Sequence, residues 1–290
     1  MLQTLQEMHP TLEINLTQPV KQQRASGNSR GGLTYDKSKI YIGNVGGSGD
    51  NLSELGKLML YAAKRNQICS QKKCSRFSYS LSARTDMVSV VQRKLYKLQQ
   101  DPNSHDSFML PPGGYSYYMP NFAEPGAEGL EHQANKTKDA AQMLDMNAMI
   151  QWDMSLDNPS YMTEYMERFQ GSAVQGVFLS NALWTENKRK DSILLEKGSD
   201  KLLVFHEFTR WDGNGTGTGV NGQQYTPKAL LEKIKRDAKP GDLLYIHNVI
   251  WSVVPDLFQE FTELVNSNES DVVLVDHQDL IELGKQKHHW

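Results

Sequence analysis

Cysteine is nearly absent from this sequence, which contains only two such residues among 290. The spacing of Cys69 and Cys74 in CSQKKC is too wide for a CxxC redox motif, and no second Cys or His pair follows at zinc-ligand spacing. A disulfide-dense scaffold and a zinc site are therefore excluded. Two interpretations of the thiols stay open: two unrelated cysteines, which we favour, or a local disulfide in an exported protein.

An excess of charge of one sign and long apolar runs are also lacking. Lys and Arg number 31 against 34 Asp and Glu, which leaves a formal net charge of −3. This balance excludes a strongly basic nucleic-acid platform, so we predict no nucleic-acid partner. No apolar run approaches the ~20 residues of a membrane-spanning helix, and we predict no membrane span.

The N-terminus has no basic segment followed by an apolar core, so it is not a secretory signal. Five glycosylation sequons still favour a secreted or cell-surface protein; they begin at Asn15, Asn51, Asn135, Asn214 and Asn268. We interpret residues 1–36 as an N-terminal extension or linker and expect it to be the remnant of a longer chain. Residues 37–285 form the predicted domain, and residues 286–290 form a tail. Oligomeric state is left open.

Short β-prone runs alternate with amphipathic helical patterns from residue 39 onward. The predicted strands span residues 39–45, 76–81, 106–110, 147–152, 173–179, 201–208, 242–250 and 271–275. The predicted helices lie within residues 52–66, 86–100, 160–171, 226–242 and 255–268. This alternation favours βαβ units and a parallel sheet. We predict an α/β fold, (β/α) barrel-like, with seven or eight mainly parallel strands alternating with helices.

The glycine-rich stretch GNVGGSGDN after the first strand does not form a cofactor motif. It has no GxGxxG at the strand-to-helix step and lacks the Lys-Ser/Thr of a phosphate-binding loop. The chain also has no HxxxH or HExxH motif, and no GxSxG nucleophile elbow stands between a predicted strand and a predicted helix. We therefore predict no cofactor and no bound metal.

Aromatic and short polar side chains gather where the predicted strands end. Because active sites of (β/α) barrels lie at the C-terminal ends of the strands, these residues are candidates for binding a substrate. Sugars suit such a rim, since their C–H faces stack on aromatic rings and their hydroxyls need polar partners. The candidate substrate-binding residues are Asn51, Tyr115, Tyr117, Trp152, Trp184, Trp211, His247 and Trp251.

Two motifs resemble the GxGYxYP glycoside hydrolase family. In PPGGYSYYMP, the residues Gly114, Tyr115 and Tyr117 match its G-Y-x-Y signature, with Pro112 and Tyr118 replacing the expected Gly and Pro. GSGDN at 47–51 is similar to the family's Ser-Asp-Gly-Asp-Asn stretch, with Ser48 in place of the first Asp. The resemblance covers residues 36–285, the C-terminal domain of the family. It implies a carbohydrate-active hydrolase.

Glycoside hydrolysis requires two carboxyl groups, and three candidates follow predicted strands. Asp50 is the first choice, with the N-cap of the next helix as its alternative role. Glu207 is the second; its partly apolar surroundings favour acid duty, and pairing with Arg210 is its alternative role. Asp153 is the reserve, whereas Asp276 is predicted to cap the last helix.

The predicted function is thus a glycoside hydrolase acting on a poly- or oligosaccharide through a carboxylate pair at the barrel rim. One alternative from another class stays open: a non-catalytic carbohydrate-binding protein on the same fold. It would keep the aromatic rim but lack a correctly spaced carboxyl pair, and Ser48 favours it.

Overall fold

A computed structural model describes residues 32–47, 52–81, 85, 95–116, 127–153, 164–181, 191–215, 222–267 and 271–290. Nine strands occur in these ranges. They are β1 (Ile40–Gly47), β2 (Phe77–Ser80), β3 (Asp106–Met109), β4 (Ala148–Asp153), β5 (Gly176–Asn181), β6 (Ile193–Lys197), β7 (Asp200–Trp211), β8 (Leu243–Val249) and β9 (Val272–Val275).

Seven of these strands form a nearly closed parallel barrel. Their order is β3-β2-β1-β8-β7-β5-β4, and a parallel bridge between Leu110 and Met149 connects the two ends. β9 adds a further parallel strand beside the first half of β1, and β6 pairs antiparallel with β7. The predicted barrel-like fold is confirmed. The β6–β7 hairpin was not predicted.

Five helices of eleven residues or more occur in the described ranges. They are α1 (Leu52–Cys69), α2 (Ala127–Leu144), α3 (Pro227–Asp237), α4 (Pro255–Ser267) and α5 (His277–Lys287). Local sequence signals start two of them: the Thr226 side chain accepts from the Ala229 amide, and the Asp276 side chain accepts from the Asp279 amide. Both predicted caps are confirmed. α2 was not predicted, and most of the predicted helix at 86–100 lies outside the described residues.

The core has two layers, one on each side of the barrel wall. An outer cluster joins alternate strand residues to α1, α2, α3 and α4. An inner cluster joins the other strand residues, such as Tyr41, Phe178 and Phe205, to Leu280 and Ile281 of α5. The last helix therefore packs against the inner cluster instead of the outer one.

Two strand glycines allow α5 to come this close. A Cβ at Gly43 would lie 2.2 Å from Leu280 Cδ1, and a Cβ at Gly176 would lie 2.8 Å from Ile281 Cδ1. α5 runs to Lys287, two residues into the stretch interpreted above as a tail, and the Lys287 ammonium donates to the Gly241 carbonyl over 2.7 Å. The end of this chain is thus an integral part of the barrel.

A disulfide joins Cys69 to Cys74, so the interpretation of two unrelated thiols was wrong. It closes the turn that follows α1, where the Gln259 side chain also bonds the Lys73 carbonyl over 3.1 Å. Sequence spacing could not show this pairing, because whether two cysteines meet depends on the turn between them. The 5.4 Å Cα–Cα separation lies within the usual range for a disulfide.

None of the helices in the described ranges is both long and apolar enough to cross a membrane.

Candidate functional site

An inner polar cluster lies above the apolar interior of the barrel, toward the C-terminal ends of β5, β7 and β8. Side chains two positions apart on a strand share a face. Phe178, Phe205 and Tyr245 belong to the inner apolar cluster. Two positions further along these strands, toward their C-terminal ends, the residues on the same face are polar, and the phenol of Tyr245 lies beside them. The inner polar cluster consists of Ser180, Glu207, Arg210, Tyr245 and His247, all buried.

Glu207 lies at the centre of the hydrogen bonds within the inner polar cluster. Arg210 donates from Nη2 to Glu207 Oε2 over 3.1 Å and also donates to the Ser180 hydroxyl. The Ser180 hydroxyl in turn donates to the same Glu207 oxygen. Both charged side chains are about 95% buried, at 6% and 5% exposure, so the pair is shielded from solvent. Charge-assisted bonds of this kind hold a carboxylate in one orientation.

A β-bulge in β7 brings Arg210 to the inner face. Glu207 is paired with Tyr245, but the register then shifts so that Thr209 meets Ile246 and Arg210 meets His247. Without the extra residue, Glu207 and Arg210 would lie on opposite faces of the strand, because they are three positions apart. The bulge therefore creates the ion pair.

His247 completes the cluster on the side of β1. Its ring lies against Gly47, where a Cβ would approach the Nε2 atom to 2.4 Å. Burial lowers the pKa of His247 well below its usual value, and the positive charge of Arg210 lowers it further. The imidazole is therefore neutral at pH 7. It can accept or donate a hydrogen bond without adding charge to the site.

Tyr245 lies deeper in the barrel, beside the ion pair. Burial raises the pKa of its phenol well above the usual value, and the negative charge of Glu207 adds to this effect. The phenol therefore keeps its proton at neutral pH and does not compete with Glu207 as an anion.

These contacts change the role expected for Glu207. The sequence favoured acid duty because the neighbouring residues are apolar. In the structure Glu207 is paired with the buried guanidinium of Arg210, as in the alternative role. A carboxylate held in one orientation suits a nucleophile or a general base.

The Gly-Tyr motif after β3 is held by α2. Gly113 and Gly114 have φ angles of 82° and 88°, in the left-handed region where glycine is favoured. Thr137 lies against Gly114 and accepts a hydrogen bond from the Tyr115 amide over 2.9 Å, while the Tyr165 hydroxyl donates to the Gly113 carbonyl over 2.9 Å. Tyr115 itself is half-buried and packs against the outer cluster.

The tryptophans predicted to bind substrate have different surroundings. Trp211 is fully buried in the outer cluster, 5.5 Å from the Phe261 ring, and its indole N–H lies within 2.9 Å of the Gly213 and Tyr225 carbonyls. It offers no face for stacking, so a substrate-binding role for Trp211 is corrected to a core role. Trp251, by contrast, is exposed directly after β8.

Several predicted site residues cannot be placed. Asp50, Asn51, Tyr117 and Trp184 lie outside the described residues. Trp152 and Asp153 lie on β4, where their backbones pair with Ser180 and Asn181, but their side chains are outside the described part. The structure thus brings together Glu207 and His247 from the predicted set.

Sequence reasoning missed Ser180 and Tyr245 as members of the site, and it named Arg210 only as the alternative partner of Glu207. Ser180 had a usable signal, because it comes directly after a predicted strand, where barrel enzymes hold their active sites. Tyr245 had none, since both faces of its strand are apolar. The face on which Arg210 lies depends on the bulge. Among the described residues, no three His, Cys, Asp or Glu side chains are grouped so as to hold a metal ion.

The sequence matches no protein-family model and no curated protein. Among solved structures, a crystal structure described as a "putative hydrolase" from Bacteroides thetaiotaomicron aligns with a TM-score of 0.62 at 14% identity. The alignment covers 94% of this chain and 49% of that one, so this chain spans about half the length of its structural relative. A sugar phosphate isomerase/epimerase from Parabacteroides distasonis aligns with a TM-score of 0.39 at 14% identity, over 91% of this chain and 96% of that one. The fold of this chain thus places it in the class of (β/α) barrel proteins.

Proposed function

We propose that this chain is a glycoside hydrolase of the GxGYxYP type that acts on a poly- or oligosaccharide. The observation that carries the proposal is the buried Glu207–Arg210–Ser180 network on the inner face of the barrel. It lies toward the strand ends where barrel enzymes hold their active sites. A (β/α) barrel similar to one described as a hydrolase supports the proposal at the level of the fold.

In this proposal Glu207 acts as the ionised carboxylate, either attacking the anomeric carbon or taking a proton from the attacking water. Arg210 and Ser180 orient it. The neutral His247 binds a sugar hydroxyl. The second carboxyl group, which protonates the leaving oxygen, is Asp50 or Asp153; both follow or end strands that flank the barrel mouth.

Hydrolysis assays on a polysaccharide panel test the proposal. Xylan, β-1,3-glucan, galactomannan and polygalacturonate would be offered to the wild type and to E207Q, D50N and D153N. We expect E207Q and one of the two Asp variants to lose at least ~10²-fold in kcat while still binding the glycan. E196Q removes an exposed carboxylate on β6 and serves as the matched control; its activity should stay at the wild-type level.

Two outcomes would contradict the proposal. An E207Q variant that keeps wild-type turnover removes Glu207 from the chemistry. A wild type that binds a glycan but cleaves none supports the alternative, a non-catalytic carbohydrate-binding protein. The stereochemistry of the first product then distinguishes retention from inversion in the case of cleavage.

A further inference from the structure

Trp251 carries an exposed indole shortly after the C-terminal end of β8. It lies two residues after the end of that strand and is 46% exposed, and the nearby Val254 is 44% exposed. Trp211, by comparison, is fully buried.

Hydrogen bonds to three parts of the structure hold the loop that carries Trp251. The Ser252 and Val253 amides donate to the Val249 carbonyl over 3.0 and 2.8 Å, and the Tyr61 hydroxyl donates to the Val253 carbonyl over 2.9 Å. The Ser252 hydroxyl donates to the carboxylate of Asp212. Because the loop is already ordered, a ligand that stacks on the indole pays little conformational entropy to do so.

The same contacts connect this loop to the candidate site. Asp212 follows Arg210 by two residues along the chain, and it is fully buried at the end of β7. Trp251 follows His247 by four residues, so at most ~14 Å of chain separates their Cα atoms. The end of β8 therefore links Trp251 to His247 of the inner polar cluster. The end of β7 holds the same loop, because Asp212 accepts a hydrogen bond from Ser252.

We propose that Trp251 is an outlying subsite that stacks one sugar of a polysaccharide chain whose cleaved bond lies at Glu207, with Asp212 and Ser252 as positioning residues. This inference rests on the proposed function and names its substrate class as a polymer. Glu207 is buried and Trp251 is exposed shortly after the end of β8, so a ligand that meets both extends from the inner polar cluster to the surface. An indole presents a wide apolar face to the C–H face of a sugar ring.

The test compares a polymer with a short substrate. The polysaccharide that the wild type cleaves, or binds, is paired with the 4-nitrophenyl glycoside of its constituent sugar. We expect W251A to raise KM for the polysaccharide at least tenfold, with kcat and the kcat/KM of the nitrophenyl glycoside changed less than twofold. W251F keeps a ring and should recover most of the affinity, while S252A should give an intermediate rise in KM.

L60A is the matched control. Leu60 is a large exposed apolar residue on α1, and its removal should change neither substrate. A W251A variant that loses both substrates equally, or neither, overturns the subsite. The subsite is also overturned if W251A is retarded as strongly as the wild type in affinity electrophoresis through polysaccharide gels.

Failure of the two proposals can be told apart. If the wild type is retarded in polysaccharide gels but cleaves none of the polysaccharides, the hydrolase proposal is contradicted. A loss of that retardation in W251A then supports the subsite proposal on its own. A wild type that is retarded by none of the four polysaccharides overturns the subsite and leaves the hydrolase to the nitrophenyl glycoside assay.

Discussion

At the scale of single residues, the site is defined by buried polar contacts. Arg210 pairs with Glu207 over 3.1 Å. Burial lowers the pKa of His247 well below its usual value, and the positive charge of Arg210 lowers it further, so the imidazole is neutral at pH 7. This arrangement has a measurable consequence for stability.

We predict that His247 makes the fold sensitive to mild acid. Its pKa is lowered in the folded protein, so below about pH 6.5 the unfolded chain gains a proton here that the folded chain does not. The contribution of His247 to stability is complete above that pH and is lost as the pH falls. Between pH 7.5 and 5.5 this loss amounts to at most about 1.4 kcal/mol of unfolding free energy.

Urea denaturation at the two pH values checks this prediction. H247Q should lose less stability on acidification than the wild type, by about that amount. H132Q, which removes an exposed histidine of α2, should follow the wild type. Parallel pH dependences for H247Q and the wild type would show that the imidazole is not held neutral by the fold.

At the scale of elements, the close packing of α5 against β1 determines which glycines are required. Gly43 leaves space for Leu280, which is fully buried. We predict that G43A lowers the free energy of unfolding by about 1–3 kcal/mol, because the added methyl overpacks the barrel interior.

G56A provides the opposite case. Gly56 lies on the exposed face of α1, with no atom within 4 Å of a Cβ placed there, so alanine should stabilise the helix by about 0.5–1 kcal/mol. Both variants are measured by urea denaturation. Equal effects of the two substitutions would mean that α5 does not press against β1 in solution.

At the scale of the whole molecule, the barrel interior depends on the last twenty residues. β9 pairs with the first half of β1, and α5 supplies Leu280, Ile281 and Leu283 to the inner cluster. We predict that a chain ending at residue 270 loses its cooperative unfolding transition and binds the dye ANS, because its inner apolar surface meets water.

A chain ending at Lys287 is the control, since it removes only the three residues after α5 and should unfold cooperatively. Circular dichroism melts and ANS fluorescence report on both chains. A cooperative melt for the chain ending at residue 270 would show that the parallel ring closes without β9 and α5.

The sequence by itself determined the alternation of strands and helices, and hence the barrel class. Period-two and period-3.6 patterns are local properties, so β1, β8 and α3 lie close to their predicted ranges, and the Thr226 and Asp276 caps form as predicted. Of the residues predicted to gather at the strand ends, Glu207 and His247 lie together in the inner polar cluster, whereas Trp211 belongs to the outer cluster.

Only the tertiary structure decided which side of the barrel wall each residue faces. Both faces of a barrel strand are apolar, so a run such as KLLVFHEF does not reveal that Phe205 belongs to the inner cluster and Val204 to the outer one. The bulge that brings Arg210 to Glu207 and the packing of α5 against β1 depend on contacts between residues far apart in the chain. No local pattern records such contacts, since their free energy arises only once the barrel has assembled.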